Sequence, residues 1–353
     1  MSATGSSNPE YVNSRVRARR AVLFDEEDYR KLVRMGTGEI SRYMEETEYE
    51  AEMNALGARH SGVDLIEYSL NRNLAKHFHD LLGWAEGKLY TQIANYLRKF
   101  DAWNAKTAIR GVYSGAEPEE IMTDFIRAGE FDEDLLDQMA AAGSVEEVVE
   151  LLEGTIFAEG LDAAYEEFEE SDVLVPLENT IDKTFYEHLL DGLDTQMVDR
   201  NTPTGLYLDF LQAEIDFRNV RNALRLSRTG TDIDPEAFYI EGGKLFDEGE
   251  LRQLVGSFDD LVEYIRESTY GDELSSALTD LNEADSLIQF EHALDAALLE
   301  YSDTLSYTYP VSICSALSYI LAKEREIENI RAIARGREVG LSVQEIEDEL
   351  VVT

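Results

Sequence analysis

One pattern of polar residues occurs three times in this chain, about 110 residues apart, and it limits the folds that the chain can adopt. The stretches are RKFDAWNAKTAIRG (98–111), AEIDFRNVRNALR (213–225) and KEREIENIRAIARG (323–336). In each, an acid lies three residues before an Asn, and basic residues follow that Asn by two and by six positions. Apolar residues between them recur at i, i+3 and i+7, the spacing of one buried face of a helix. The pattern predicts three copies of one helix.

The sequence on either side of these helices repeats as well. Each is preceded by a helical stretch with a matching acid, in LIEYSL (65–70), PLENTI (176–181) and QFEHAL (289–294). Each is followed by a turn and a helix start, in GAEPEEIM (115–122), GTDIDPEAF (230–238) and GLSVQEIE (340–347). Ser342 and Glu345 form a capping-box pattern, and Pro118 and Pro235 occupy first-turn positions.

The block that should follow the third copy matches residues near the start of the chain. GSVEEVVELLEGTIF (143–157) corresponds to GSFDDLVEYIRESTY (256–270), and TGEISRYMEETEY (37–49) resembles both. In this match Thr47 and Tyr49 align with Thr155 and Phe157, and with Thr269 and Tyr270. DEEDYRKLV (25–33) likewise matches DEGELRQLV (247–255). We therefore predict a disordered tail at 1–9, repeat A at 65–175, repeat B at 176–286, and repeat C from 287–353 plus 10–64.

The predicted fold class is all-α, because long segments show helical spacing and no strand-like alternation of useful length is visible. A repeat completed from the opposite end of the chain favours closure over an open solenoid. We expect three pseudo-threefold helical repeats closed into a cup or funnel. The alternative is three helical-hairpin domains in a line, and proximity of the two ends of the chain distinguishes the two.

The net charge of the chain limits the environments and partners that can be expected for it. The chain has 73 acids and 31 bases, a formal charge of −42, and the acids are spread along a foldable sequence. This indicates a halophilic protein, since concentrated salt screens the self-repulsion. An acidic mesophilic protein is the alternative. Without a basic face, nucleic acid and direct lipid insertion are not expected. Cys314 is the only cysteine, which excludes an intrachain disulfide.

The repeated basic residues have a structural and a functional interpretation. Pairing with carboxylates on neighbouring helices would hold those helices in register. Alternatively, Arg110, Arg225 and Arg335 could ring the cup and contact an acidic partner.

No motif for catalysis, cofactor binding or metal binding is visible. There is no phosphate-binding loop, and the histidines show no HExxH pattern. His77 and His79 lie two residues apart, so on a helix they face different directions. Asp232 and Asp234 weakly resemble a calcium loop but occupy a helix-start position, which favours capping. We expect no catalytic residue, no cofactor and no metal.

Several stretches resemble a known family. YVNSRVRARRAVL near the start, EIDFRNVRNALR, and KEREIENIRAIARG with its neighbour GREVGLSVQEI are similar to the C subunit of archaeal A-type ATP synthases, in the family of the d subunit of vacuolar ATPases. The resemblance runs from about Tyr11 to the end. The acidic load and the stretch DAAYEEFEESD (162–172) depart from the family pattern and fit a haloarchaeal member.

The resemblance implies a non-catalytic central-stalk rotor subunit. Such a subunit couples the central shaft to the membrane proteolipid ring, so that ion (proton) flow drives ATP synthesis. It implies the shaft subunits and the ring as partners, and a peripheral place on the cytoplasmic side of the cell membrane. A free-standing helical scaffold is the alternative, and a soluble enzyme is a third.

Overall fold

In the computed structural model, the structure describes residues 6–191, 193, 199, 202–229, 235–283 and 287–351. Regular structure within these ranges is entirely helical, so the all-α prediction is confirmed. Their α-helices, numbered α1 to α19, are Pro9–Arg20, Glu26–Leu32, Thr37–Met44, Glu50–Leu56, Gly62–Trp84, Gly87–Leu97, Lys99–Ser114, Pro118–Asp124, Glu133–Ala141, Val145–Leu152, Leu161–Ser171, Val175–Leu190, Pro203–Thr229, Glu248–Leu254, Phe258–Glu267, Gly271–Glu283, Ile288–Thr308, Cys314–Val339 and Val343–Glu347. Two short 3₁₀ helices lie at Ile156–Ala158 and Pro235–Phe238.

The chain forms two compact units. The first comprises residues 1–151 and 306–352, and the second comprises residues 152–305. In the first unit, α18 packs against α5, and the N-terminal helices α1, α2 and α3 also contact α18. Residues from the two ends of the sequence therefore share one core.

The second unit is organised around α13. Phe217, Val220 and Leu224 on its apolar face belong to one buried cluster with residues of α15, α16 and α17. Leu261 and Ile265 of α15 are fully excluded from solvent within that cluster. The i, i+3, i+7 spacing read from the sequence thus marks the buried face of this helix.

Three helices start with the same local signal, an Asp after a Phe. Asp25, Asp132 and Asp247 are the N-caps of α2, α9 and α14, and each carboxylate accepts a backbone N–H of the first turn. Such a cap satisfies a donor that the helix itself leaves unpaired. Ser342 caps α19 in the same way and forms the predicted capping box with Glu345. Pro118 opens α8, whereas Pro235 opens a 3₁₀ helix instead.

A hydroxyl-stabilised turn closes the corresponding block in each copy. Thr47 Oγ1 and Thr155 Oγ1 donate to the carbonyl three residues earlier and accept the N–H two residues later. In the second unit this role belongs to Ser268, which accepts the N–H of Tyr270 at 3.1 Å. The alignment of Thr269 with Thr47 is therefore wrong by one residue, because the hydroxyl must lie two positions before the aromatic residue.

Two further predictions concern residues at the edge of, or outside, the described ranges. A disordered tail over the whole of 1–9 is too long: Asn8 Nδ2 donates to the carbonyl of Trp84, Asn8 Oδ1 accepts the N–H of Glu86, and Pro9 begins α1. Asp232 and Asp234 lie outside the described residues.

Candidate functional site

The side chain of the Asn in each repeated motif hydrogen-bonds to both the N–H and the carbonyl of one residue, which lies 21 or 22 positions further along the sequence. The side-chain amide donates to that residue's carbonyl and accepts its N–H, so neither buried group is left unpaired. All three Asn side chains are almost fully buried. The pairs are Asn104 with Ile126 (2.9 and 2.8 Å), Asn219 with Ile240 (2.8 and 2.9 Å), and Asn329 with Val351 (2.9 and 3.0 Å).

The acid of each motif accepts backbone N–H groups from the segment that leads into the next capped helix. Burial raises the pKa of Asp101 to about 6 and raises the pKa of Asp216, although these bonds favour their charged forms. The bonds run to Asp101 from Glu130 and Phe131 (2.8 and 3.0 Å), to Asp216 from Lys244 and Leu245 (both 2.8 Å), and to Glu326 from Phe24 (2.6 Å). In the third copy, a residue near the start of the sequence supplies the donor.

A tyrosine hydroxyl completes the acid's shell in two copies. Tyr270 donates to Asp216 Oδ2 at 2.9 Å, and Tyr49 donates to Glu326 Oε1 at 2.6 Å. Phe157, at the corresponding position of the remaining block, has no hydroxyl to donate. Two of these three matched aromatic residues are therefore tyrosines whose hydroxyls hydrogen-bond to the acid of the motif.

The third copy also contains a buried cation that sequence reasoning missed. Lys323 is fully buried, and its ammonium donates to Glu326 Oε1 at 2.6 Å. Burial lowers the pKa of Lys323, while Glu326 opposes that shift. The sequence did offer one indication of this ion pair: Lys323 and Glu326 are spaced i, i+3 on a predicted helix, next to a predicted core position.

The outer arginines of the motif are exposed, and two of them bind an acid on a neighbouring helix. Arg225 Nε and one terminal nitrogen each lie 2.6 Å from the carboxylate oxygens of Glu291. Arg335 binds Glu67 through the same two nitrogens. Their side chains remain 56% and 55% exposed, so both pairs lie at the surface. Arg110 is also exposed and is engaged in an interaction. The structural interpretation of these residues is thus observed in two copies.

The inner basic residues of the second and third copies bind the same helices one turn further on. Arg221 donates to Asp295 at 2.5 Å, and Arg331 donates to Asn71 Oδ1 at 2.6 Å. Each arginine pair therefore contacts two successive turns of its partner helix, which fixes the register of α13 on α17 and of α18 on α5.

The two histidines of α5, His77 and His79, face different directions. His77 is buried, with Nε2 3.0 Å from Arg19 and Nδ1 2.5 Å from the Tyr319 hydroxyl, whereas His79 is exposed. Because a guanidinium only donates, Nε2 of His77 must accept, and Nδ1 carries the proton. The described side chains contain no group of three His, Cys, Asp or Glu residues arranged to hold a metal ion.

None of the described helices combines the length and apolarity needed to cross a membrane.

The chain matches a family model described as ATP synthase (C/AC39) subunit over residues 12–349. It is 64% identical to the C subunit of the A-type ATP synthase of Haloferax volcanii over 352 residues, which covers 100% of both chains. It is 61% identical to the same subunit of Halorubrum lacusprofundi, again over 100% of both chains. The corresponding subunit of Methanococcoides burtonii is 34% identical, over 98% of this chain and 95% of its own. The chain belongs to the ATP synthase (C/AC39) subunit family.

Proposed function

We propose that this chain is a non-catalytic central-stalk rotor subunit of an A-type ATP synthase, coupling the central shaft to the membrane rotor ring. The observation that carries the proposal is the match of nearly the whole chain to relatives named as the C subunit of A-type ATP synthases, across haloarchaea and a methanogen. Membership of that family favours a synthase subunit over a free-standing scaffold. The strong acidity suits a haloarchaeal synthase.

The proposed architecture is three helical repeats, 65–175, 176–286 and 287–353 with 10–64, closed into a cup or funnel. The equivalent Asn and acid bonds of the three motifs support it, because they recur with the same geometry. The bond from Phe24 to Glu326 supports the permuted third repeat. A closed body of this kind resists twisting, which a coupling between a shaft and a ring requires.

The proposed interface uses Arg110, Arg225 and Arg335 against acidic groups of a partner subunit. All three are exposed at the same position of their motif helix. A guanidinium has five N–H donors, and the bonds to Glu291 and to Glu67 each use two of its nitrogens. Arg225 and Arg335 therefore retain donors for a partner. We propose the shaft subunits and the proteolipid ring as partners, and a peripheral location on the cytoplasmic face of the cell membrane.

The test separates the interface role of Arg225 from its pairing with Glu291. Arg225→Glu removes both, whereas the exchange Arg225→Glu with Glu291→Arg restores an ion pair with the charges reversed. Arg266→Glu is the matched control, since Arg266 is also exposed and pairs with an acid, Glu263, on its own helix. ATP hydrolysis and ion pumping are measured in membrane vesicles carrying each complex, in concentrated KCl.

If Arg225 contacts a partner subunit, the complex with Arg225→Glu should hydrolyse ATP but pump fewer ions. The complex with the exchange variant should likewise hydrolyse ATP without normal ion pumping. Arg266→Glu should behave as the parent. Recovery of pumping in the exchange variant would assign Arg225 to helix register alone. Failure of the tagged chain to co-purify with any membrane ATPase would overturn the rotor proposal itself.

A further inference from the structure

A pocket in the first unit lies beside Asn71, the residue that accepts a hydrogen bond from Arg331. It lies between α5 and the segment that runs from α8 to the start of α9, and its volume is about 380 Å³. Ligand pockets commonly measure roughly 300–1,000 Å³. The residues that line it are Leu56, Tyr68, Asn71, Arg72, Ala75, Lys76, His79, Met122, Thr123, Phe125, Arg127 and Glu133.

The charge of this lining is opposite to that of the chain. Acids outnumber Lys and Arg by 73 to 31 overall, but the pocket presents Arg72, Lys76 and Arg127 against Glu133 alone. Lys76 pairs with Glu52 at 3.1 Å, and Arg127 pairs with Glu133 at 2.9 Å. Arg72 is exposed, and no carboxylate in the described ranges forms an ion pair with it. An exposed guanidinium without an ion pair in the lining of a pocket is unexpected in a chain with so many acids.

A second cation lies behind the pocket wall. The Arg331 guanidinium donates to Asn71 Oδ1 at 2.6 Å, and within the described chain it has no carboxylate in ion-pair contact. Burial lowers the pKa of Arg331, while the nearby carboxylates of Glu67, Glu328 and Asp124 oppose that shift. Asn71 in turn donates to the carbonyl of Thr123 at 3.0 Å, which fixes the amide between the cation and the pocket. In a low-dielectric wall this charge acts on the pocket more strongly than it would across water.

The remaining lining is apolar and aromatic. Phe125 and Ala75 are buried, and Leu56 and Met122 extend the same apolar surface. The Tyr68 ring lies beside the His60 ring, with 4.2 Å between the ring centroids. These apolar residues, called the apolar floor here, can accommodate a ring or a branched hydrocarbon.

We infer that this pocket binds a small organic anion that has an apolar or aromatic body and one carboxylate, sulfonate or phosphate group held by Arg72. Its body rests on the apolar floor, while its charge faces Arg72 and Lys76, with Arg331 behind the wall. The site belongs to the first unit alone and does not depend on coupling between shaft and ring.

The probe for this site is 8-anilinonaphthalene-1-sulfonate, with N-phenyl-1-naphthylamine as the neutral molecule of the same ring system. Both are titrated by fluorescence against the folded full chain in concentrated KCl. A charge-assisted hydrogen bond contributes about 1.5–3 kcal/mol, so Arg72→Gln should weaken the sulfonate probe by about tenfold or more. The neutral probe should bind Arg72→Gln and the parent equally.

Arg42→Gln is the matched control, because Arg42 is an exposed helical arginine outside the pocket lining. It should leave both affinities unchanged. Met122→Trp, which fills the apolar floor, should abolish binding of both probes while circular dichroism shows an intact fold. Equal affinity of the sulfonate probe for the parent and Arg72→Gln would overturn the inference. So would equal weakening by Arg42→Gln, or undiminished binding to Met122→Trp.

Discussion

The ammonium of Lys323 lies 2.9 Å from the hydroxyl of Tyr49 and 4.3 Å from the centroid of its ring. The two residues are 274 positions apart in the sequence. A fully buried cation is thus held by a carboxylate, a phenol and an aromatic face together. Because both partner residues, Tyr49 and Glu326, are themselves buried, this cluster joins the N-terminal segment to α18.

Removing this cation should destabilise the first unit. Breaking a buried ion pair typically costs about 3–5 kcal/mol, because the remaining charge is left uncompensated. Glu326 keeps its bonds from Phe24 and Tyr49, so we expect Lys323→Met to lower the free energy of unfolding by about 3 kcal/mol. Denaturation at fixed KCl measures the change. Lys31→Met, at an exposed position of α2, should change stability little, and an equal loss there would contradict the role of the cluster.

Substitution of the Asn in any of the three motifs should lower the free energy of unfolding as much as substitution of a core residue does. Asn329→Ala leaves the N–H and carbonyl of Val351 without their partner, and each unsatisfied buried group costs about 1–3 kcal/mol. We expect a loss of about 2–4 kcal/mol in the free energy of unfolding. Asn54→Ala, at an exposed position of α4, serves as the control. A loss at Asn329 no larger than at Asn54 would show that these bonds contribute nothing net.

Gly129 lies against the carboxylate of Asp101, which accepts the N–H of the next residue, Glu130. A Cβ at this position would overlap Asp101 Oδ1. Gly129→Ala should therefore displace the carboxylate and lower stability by more than 1 kcal/mol, in line with about 1–3 kcal/mol for overpacking. Gly83→Ala, which meets no atom within 4 Å, should be neutral or stabilising. Thermal unfolding of the two variants makes the comparison, and equal melting temperatures would rule out the crowding.

His77 should make stability depend on pH. Burial, with Lys323 and Arg19 nearby, lowers the pKa of His77 to about 2 in the folded chain. In the unfolded chain the pKa is about 6.5, so the unfolded state binds a proton that the folded state does not. The stabilising contribution of neutral His77 is complete above pH about 6.5. It is lost by about 1.4 kcal/mol per unit as pH falls below that value.

The measurement is the slope of the unfolding free energy against pH between about pH 6 and 5, just below the ordinary pKa of a histidine in an unfolded chain. His77→Gln should flatten this slope by about 1 kcal/mol per unit, since Gln has no proton to bind. His79→Gln, on the exposed side of the same helix, should keep the parent slope. Identical slopes in all three proteins would mean that His77 is protonated as easily folded as unfolded.

Much of the local structure could be predicted because it follows from periodicity and caps. The apolar stripe of α13 is buried, and the Ser342 capping box forms. Pairing of the repeated arginines with carboxylates on neighbouring helices was one of two interpretations of the sequence, and Arg335 with Glu67 is such a pair. The bidentate bonds of Asn329 could not be assigned, because the residue it meets is fixed by how α18 packs against the chain after α19.

Other features depend on burial that no local pattern reveals. The i, i+3 spacing of Lys323 and Glu326 does not by itself show that Lys323 is buried, because its other partner, Tyr49, lies 274 residues away in the sequence. The role of Ser268 was misassigned because Thr269 offered a better match of residue type, whereas the turn selects by position. Arg72 carried no signal at all, since an unpaired cation is recognised only when its surroundings are known.

The bond between the Phe24 N–H and Glu326 spans 302 residues. During translation at about 5–20 residues per second, the N-terminal segment must therefore wait on the order of 15–60 s for its acceptor to leave the ribosome. Helices α1 to α3 spend that interval without the surface of α18 that covers them in the finished protein. A nascent chain of this family thus has a long period in which chaperone binding, or premature pairing with another copy, competes with its own completion.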